Sequence, residues 1–92
     1  MASFKSGNTY LVNANKRWFI VHQISMKGWV ATLFTHGDAD SFEADRHFKG
    51  NGVSLWNELK DYAPNDFYVY QVRNTIDMRQ RMFSILKYGG IE

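Results

Sequence analysis

The sequence predicts a small single α+β domain, with a three- to four-stranded, mainly antiparallel sheet packed with about three helices in the order β-β-β-α-α-β-α. Three observations lead there. A chain of 92 residues has room for one hydrophobic core and not two. Hydrophobic residues make up 45% of it and aromatic residues 16%, far more apolar surface than a solvated, disordered chain carries. Strand-like runs gather early and helical patterns follow, a segregation that favours α+β over a doubly wound parallel sheet.

Residues 1–8 (MASFKSGN) read as a polar lead-in with Gly7 and Asn8 as turn formers, and residues 89–92 as a tail. Thr9–Val12 is β-prone, and Asn13-Ala14-Asn15-Lys16 supplies a turn. Arg17–Ile24 puts Trp18, Ile20 and Ile24 on one face and Phe19 and Val21 on the other. Ser25-Met26-Lys27-Gly28 then connects it to Trp29–Phe34, making an antiparallel hairpin. Both of these strands are apolar on both faces, so the sheet needs cover on two sides or a partner for one.

His36–Asp40 is loop-like, and Asp40 or Ser41 caps a helix running to Phe48, stopped by Gly50-Asn51-Gly52. Ser54 caps the next helix, whose stripe is Leu55, Trp56, Leu59 and Tyr62. Pro64 ends it. Phe67–Val72, almost wholly aromatic or β-branched, is predicted to be a central strand. Asn74 or Thr75 caps a last helix through Tyr88, closed by Gly89-Gly90. Its apolar arc is read as Ile76, Met78, Met82, Phe83, Ile85 and Leu86. Arg79 lies inside that arc and must pair or turn outward, while Asp77, Arg81 and Ser84 are assigned to solvent. Trp56 and Tyr70 are read as core.

The chemistry-bearing residues are sparse. Cysteine is absent, which removes disulfides, thiolate nucleophiles and cysteine zinc sites. His22, His36 and His47 show no metal-ligand spacing, and the HGDAD run is accounted for by a polar turn and a helix cap. No serine sits in a nucleophile elbow, and Gly50-Asn51-Gly52 lacks the ending of a phosphate loop. Lys and Arg number 11 against 9 Asp and Glu, a net charge of +2, too small a bias to require a nucleic-acid partner. Lys16-Arg17-Trp18, Arg46-His47-Phe48-Lys49 and the Arg73, Arg79, Arg81, Lys87 series do set cations beside aromatics, as nucleic-acid surfaces do, but carboxylates are interspersed among them. No apolar run reaches the ~20 residues of a bilayer crossing, and MASFKSGN lacks the apolar core of a signal peptide. The expectation is a soluble, cytoplasmic protein without a membrane partner.

The order of elements and the stretch SLWNELKDYAPNDFYVYQVRN, an amphipathic helix, a turn and a Phe-led strand, resemble the GIY-YIG nuclease domain over about Thr9 to Tyr88. The resemblance aligns that family's first motif with Asn8-Thr9-Tyr10 and its second with Phe19-Ile20-Val21, keeping Tyr10 and losing the other tyrosine. A second register, on Phe19-Ile20-Val21 and Trp29-Val30-Ala31, loses both. It matches Arg46 to the family's helical arginine and His47 to a nearby histidine. The family's metal-binding glutamate falls at Arg79, flanked by Ile76 and Phe83, or at Gln80 after a one-residue slip. A phosphodiesterase of that type needs a divalent cation on the phosphate, and a guanidinium at the ligand position repels it. The resemblance thus implies a scaffold that has lost cleavage and kept binding.

The function expected from the sequence is therefore a small non-catalytic interaction protein that binds, and in one version inhibits, a larger macromolecule, with another protein as partner. The alternatives are a nucleic-acid-binding module on a nuclease scaffold and, third, a metal-dependent endonuclease. The candidate binding residues are Tyr10, Arg17, Trp18, Arg46, His47, Lys49, Arg73 and Arg79. No catalytic residue, metal or cofactor is assigned.

Overall fold

Asn15 and Lys16 set the first hairpin. Both take positive φ, 58° and 66°, the pair of left-handed residues that a two-residue turn matched to strand twist requires. β1 (Thr9–Ala14) therefore runs two residues beyond the Thr9–Val12 read from the sequence, and a two-residue turn, not a four-residue one, leads into β2 (Arg17–Gln23). A second hairpin joins β2 to β3 (Trp29–Leu33), its tip closed by Ile24 N–H donating to Gly28 O at 2.8 Å. The computed structural model describes residues 3–33 and 47–90, with His47 and Phe48 described by their backbone alone.

Among the described residues the sheet has five strands, all antiparallel, in the order β4-β3-β2-β1-β5. The sequence reading of three to four is one short, because β4 (His47–Gly50) stands where the end of a helix was expected. The backbone of HFKG pairs with β3, Thr32 opposite His47 and Trp29 opposite Gly50, so a ready strand edge overrides weak local preference. The remainder of that expected helix, residues 40–46, lies outside the described residues. Among those residues there are two helices, α1 (Gly52–Tyr62) and α2 (Thr75–Tyr88). β5 (Phe67–Val72) is an edge strand and not a central one, paired only with β1 among the described residues.

The two faces of the sheet carry one helix each, which answers the two-faced apolarity of β2, whereas β3 buries Trp29, Ala31 and Leu33 on the α1 face. On one face Val12, Phe19, Val21 and Ala31 pack against Leu55 and Leu59 of α1. On the other, Leu11, Trp18 and Val72 pack against Ile85 of α2, with Met78 and Met82 alongside. Asn51, inside the Gly-Asn-Gly run read as a stop, is the N-cap of α1, and Ser54 is its reciprocal partner rather than the cap. The lead-in is also structural. Phe4 is buried against Tyr10, Trp29 and Trp56, and its N–H donates to Gly52 O at 3.2 Å. That approach needs glycine, since a Cβ on Gly52 would stand 2.5 Å from Phe4 O.

Trp56 is half-buried, wedged between Phe4 at 5.0 Å and Phe67 at 5.3 Å, and the deepest positions of α1 are Leu55 and Leu59. Leu55→Ala is accordingly expected to cost about 2–5 kcal/mol. Leu86→Ala on α2, a leucine 65% exposed, is expected to change stability by no more than about 0.5 kcal/mol. Urea titration of both variants checks the contrast.

Candidate functional site

The site begins with a carboxylate on the sheet side of α2. Asp77 is the third residue of that helix, where Asn74 caps the first turn by accepting from the Asp77 N–H at 2.8 Å. The Asp77 side chain is buried, the opposite of the solvent position its place in the sequence suggests. Its two oxygens accept from Tyr70 Oη at 3.0 and 2.9 Å, and one of them also accepts from the Arg73 N–H at 2.9 Å. Arg81, one turn further on and half-buried, pairs with it at 3.2 Å and donates to Tyr70 Oη at 3.0 Å, its guanidinium 5.2 Å from the Tyr70 ring. Every participant has a partner, which is the condition for holding a charge away from water. Tyr70 is half-buried, a polar anchor more than an apolar core residue.

These bonds set the carboxyl's titration. The Arg73 N–H holds Asp77 below its ordinary 3.8, burial opposes that shift, and the Tyr70 and Arg81 hydrogen bonds add to the lowering. Arg81 is driven the other way, held more firmly protonated chiefly by Tyr70 and then by Asp77.

The network also fixes how α2 is rolled about its axis. With Asp77 and Arg81 turned to the sheet beside Met78 and Ile85, the opposite arc of the helix faces water. Taking ~100° per residue, Ile76, Arg79, Phe83, Leu86 and Lys87 fall within about 100° of one another on that arc. Ile76 is 69% exposed, Phe83 60% and Leu86 65%. Arg79 is exposed among them, so it turns outward and needs no carboxylate. Lys87 lies 5.4 Å from the Phe83 ring and 5.3 Å from that of Tyr88, which is itself exposed at the helix end. The result is an apolar ridge along the outer face of α2, with Arg79 among its side chains and Lys87 at its edge. Asp77, the helix's one acidic residue, is turned away from it.

The candidate residues of the sequence analysis are not gathered on that ridge. Tyr10 is buried on the α1 face, its hydroxyl accepting from the Lys5 N–H at 2.9 Å. Arg17 donates to the Tyr62 hydroxyl of α1 at 2.9 Å. Trp18 is buried on the α2 face, edge-on to Tyr68 at 6.1 Å. Lys49 is exposed on β4, Arg73 is exposed between β5 and α2, and Arg79 stands on the ridge. The Arg46 position and the His47 side chain lie outside the described residues. Tyr10 and Arg79, which the nuclease resemblance brings to one site, are on opposite sides of the sheet. Ile76, Phe83 and Leu86 were in plain view in the sequence, but read as one apolar arc with Met78, Met82 and Ile85. The signal that would have turned them outward was Asp77, four residues before Arg81 on the other arc.

Concavities lie elsewhere on the described surface. An open cleft of about 560 Å³ lies beside the N-terminus of α1, between Phe4, Met26, Trp29 and Val53. A smaller one of about 220 Å³ lies at the start of α2, between Thr9, Arg73 and Thr75. Among the described residues, no three His, Cys, Asp or Glu side chains gather as a metal site would, and no helix is long and apolar enough to cross a membrane. Compared with known proteins, the chain matches no family model, no curated protein and no solved structure.

A carboxyl whose folded pKa lies below its unfolded value adds stability that is complete above the ordinary 3.8 and fades as pH falls through the lowered value. Asp77→Asn is expected to lower the Tm at neutral pH, and the gap to the parent protein should narrow as pH drops below that range. Thermal melts between pH 2 and pH 7 check it. A gap that stays constant with pH would mean the ionised form is not the stabilising one.

Proposed function

We propose that this chain is a non-catalytic interaction protein that docks a larger protein on the outer face of α2. The supporting observation is the ridge itself. Ile76, Phe83 and Leu86 recur at helical spacing, are each more than half exposed, and add nothing to the core. Folding alone does not call for such a stripe, because an exposed leucine or phenylalanine contributes little until something covers it. Large apolar and aromatic side chains with arginine among them are also the composition of interface centres. A partner groove that receives three anchors at this spacing would be read in the manner of a helix laid into an apolar cleft. Arg79 within the ridge and Lys87 at its margin would favour a groove with acidic groups.

The test is recovery of partners from the native cell with the tagged protein, before and after nuclease treatment, set against Phe83→Asp/Leu86→Asp. The double variant is expected to fold, since both positions are exposed, and to lose a protein partner that nuclease treatment leaves in place. Recovery of nucleic acid instead, with binding that weakens steeply as salt rises, would overturn this reading in favour of a nucleic-acid-binding module. Equal recovery by the parent and the double variant would remove α2 as the docking surface.

A further inference from the structure

We propose that the outer edge of β5 pairs with the same strand of a second copy of this chain, joining the two sheets into one about a two-fold axis at Val69. β5 lies at the end of the strand order, and β1 occupies its inner side alone. Which main-chain groups face outward follows from the register. Ala14 and Arg17 close a two-residue turn and so exchange hydrogen bonds across β1 and β2. Alternation then aims Thr9, Leu11 and Asn13 at β5, where they stand opposite Val72, Tyr70 and Tyr68. The Asn15 N–H donating to Asp66 O at 3.0 Å fits the same parity. Phe67, Val69 and Gln71 are left with N–H and C=O pointing away from the sheet, and no described residue takes them up.

Those three residues are symmetric about the middle one. An antiparallel copy with Val69 opposite Val69 places Phe67 opposite Gln71 in both directions, so every outward donor meets an acceptor. Side chains fall on matching faces in this register, as an antiparallel ladder demands. Tyr68, 51% exposed, is brought opposite Tyr70 of the other copy, an aromatic cross-strand pair. Charge agrees as well. Asp66 precedes the strand and Arg73 follows it, so antiparallel pairing sets the acidic end of each strand beside the basic end of the other.

The residues of the strand carry none of the side-chain or proline protections of an edge. Phe67–Val72 has no lysine, proline, glycine or carboxylate. β4, at the opposite edge, is four residues long and contains Lys49 and Gly50. Pairing at β5 is thus isologous and closes at two copies instead of extending into a fibre. One strand edge and a tyrosine pair bury less than a standard interface, so the dimer is reversible and concentration-dependent.

Sedimentation across a concentration series, with amide hydrogen exchange on the same samples, tests this. Dimer mass is expected to rise with concentration, and exchange at Phe67, Val69 and Gln71 should slow about tenfold or more with it, while Tyr68 and Tyr70 stay protected throughout. Gln71→Pro removes an outward N–H at an exposed position and should give a monomer, whereas Gln71→Ala should still dimerise. If Gln71→Pro does not fold, the exchange pattern of the parent chain decides. A parent that is monomeric at every concentration overturns the proposal. So does a dimer whose Val69 amide remains fast, or one that Phe83→Asp/Leu86→Asp dissolves, which would move the contact to α2.

Discussion

The carboxylate of Asp77 determines which side of α2 meets the sheet. A helix whose apolar arc spans half its circumference can be seated on either half of that arc, and hydrophobic burial alone separates the choices weakly. What separates them is where the charge finds donors. Tyr70 on β5, the Arg73 N–H at the strand's end and Arg81 one turn along the helix all converge on Asp77. Rolled the other way, the helix would leave the Tyr70 hydroxyl facing apolar side chains, the kind of unpaired buried group that costs more than a misplaced leucine. Met78, Met82 and Ile85 then seat against Leu11, Trp18 and Ile20, and the other half of the arc is given to water.

Much of the architecture was legible in the residues, for local reasons. Asn74 at one end of α2 and Gly89 at the other act as read, the glycine closing the helix at φ 86°. The hairpins follow from alternating runs and turn formers. What was not legible depends on partners distant in the chain. HFKG forms β4 only because β3 offers it an edge. The aromatic richness of Phe67–Val72 says that it is a strand, but composition cannot say how many neighbours it has. Asn51 looked like punctuation because its neighbours are glycines, and only the Ser54 reciprocity marks it as a cap. The outward side of α2 was illegible for a related reason. A 3.6-residue period on α2 groups its six apolar residues into one broad arc, and the pairing of Asp77 with Tyr70, seven residues away on another element, decides which half of it meets the sheet.

The ridge and the strand edge are not independent features of the surface. Tyr70 belongs to β5 and anchors α2, so the residue that sets the helix roll also sits in the strand whose outer side is open. Tyr68 stacks edge-on against Trp18 beneath, and keeps half its surface free. The α1 side of the molecule is the settled one, with Leu55, Leu59, Phe19 and Val21 fully enclosed and Phe4 closing its margin. Among the described residues, apolar surface left over after folding lies chiefly on the α2 side and at the Ile24–Met26 hairpin tip.

Because the chain has no cysteine, the roll of α2 can be measured with single thiols introduced around the helix. Ile76→Cys, Phe83→Cys and Leu86→Cys are predicted to react with a small thiol reagent at rates near those of an unfolded peptide, while Met78→Cys and Ile85→Cys react far more slowly. Placing Asp77→Leu in the same backgrounds should blur that division. Fast reaction at Met78 and Ile85 with protection at Ile76 and Phe83, or one rate all round the helix, would contradict the claim that the Asp77 network holds α2 in this orientation.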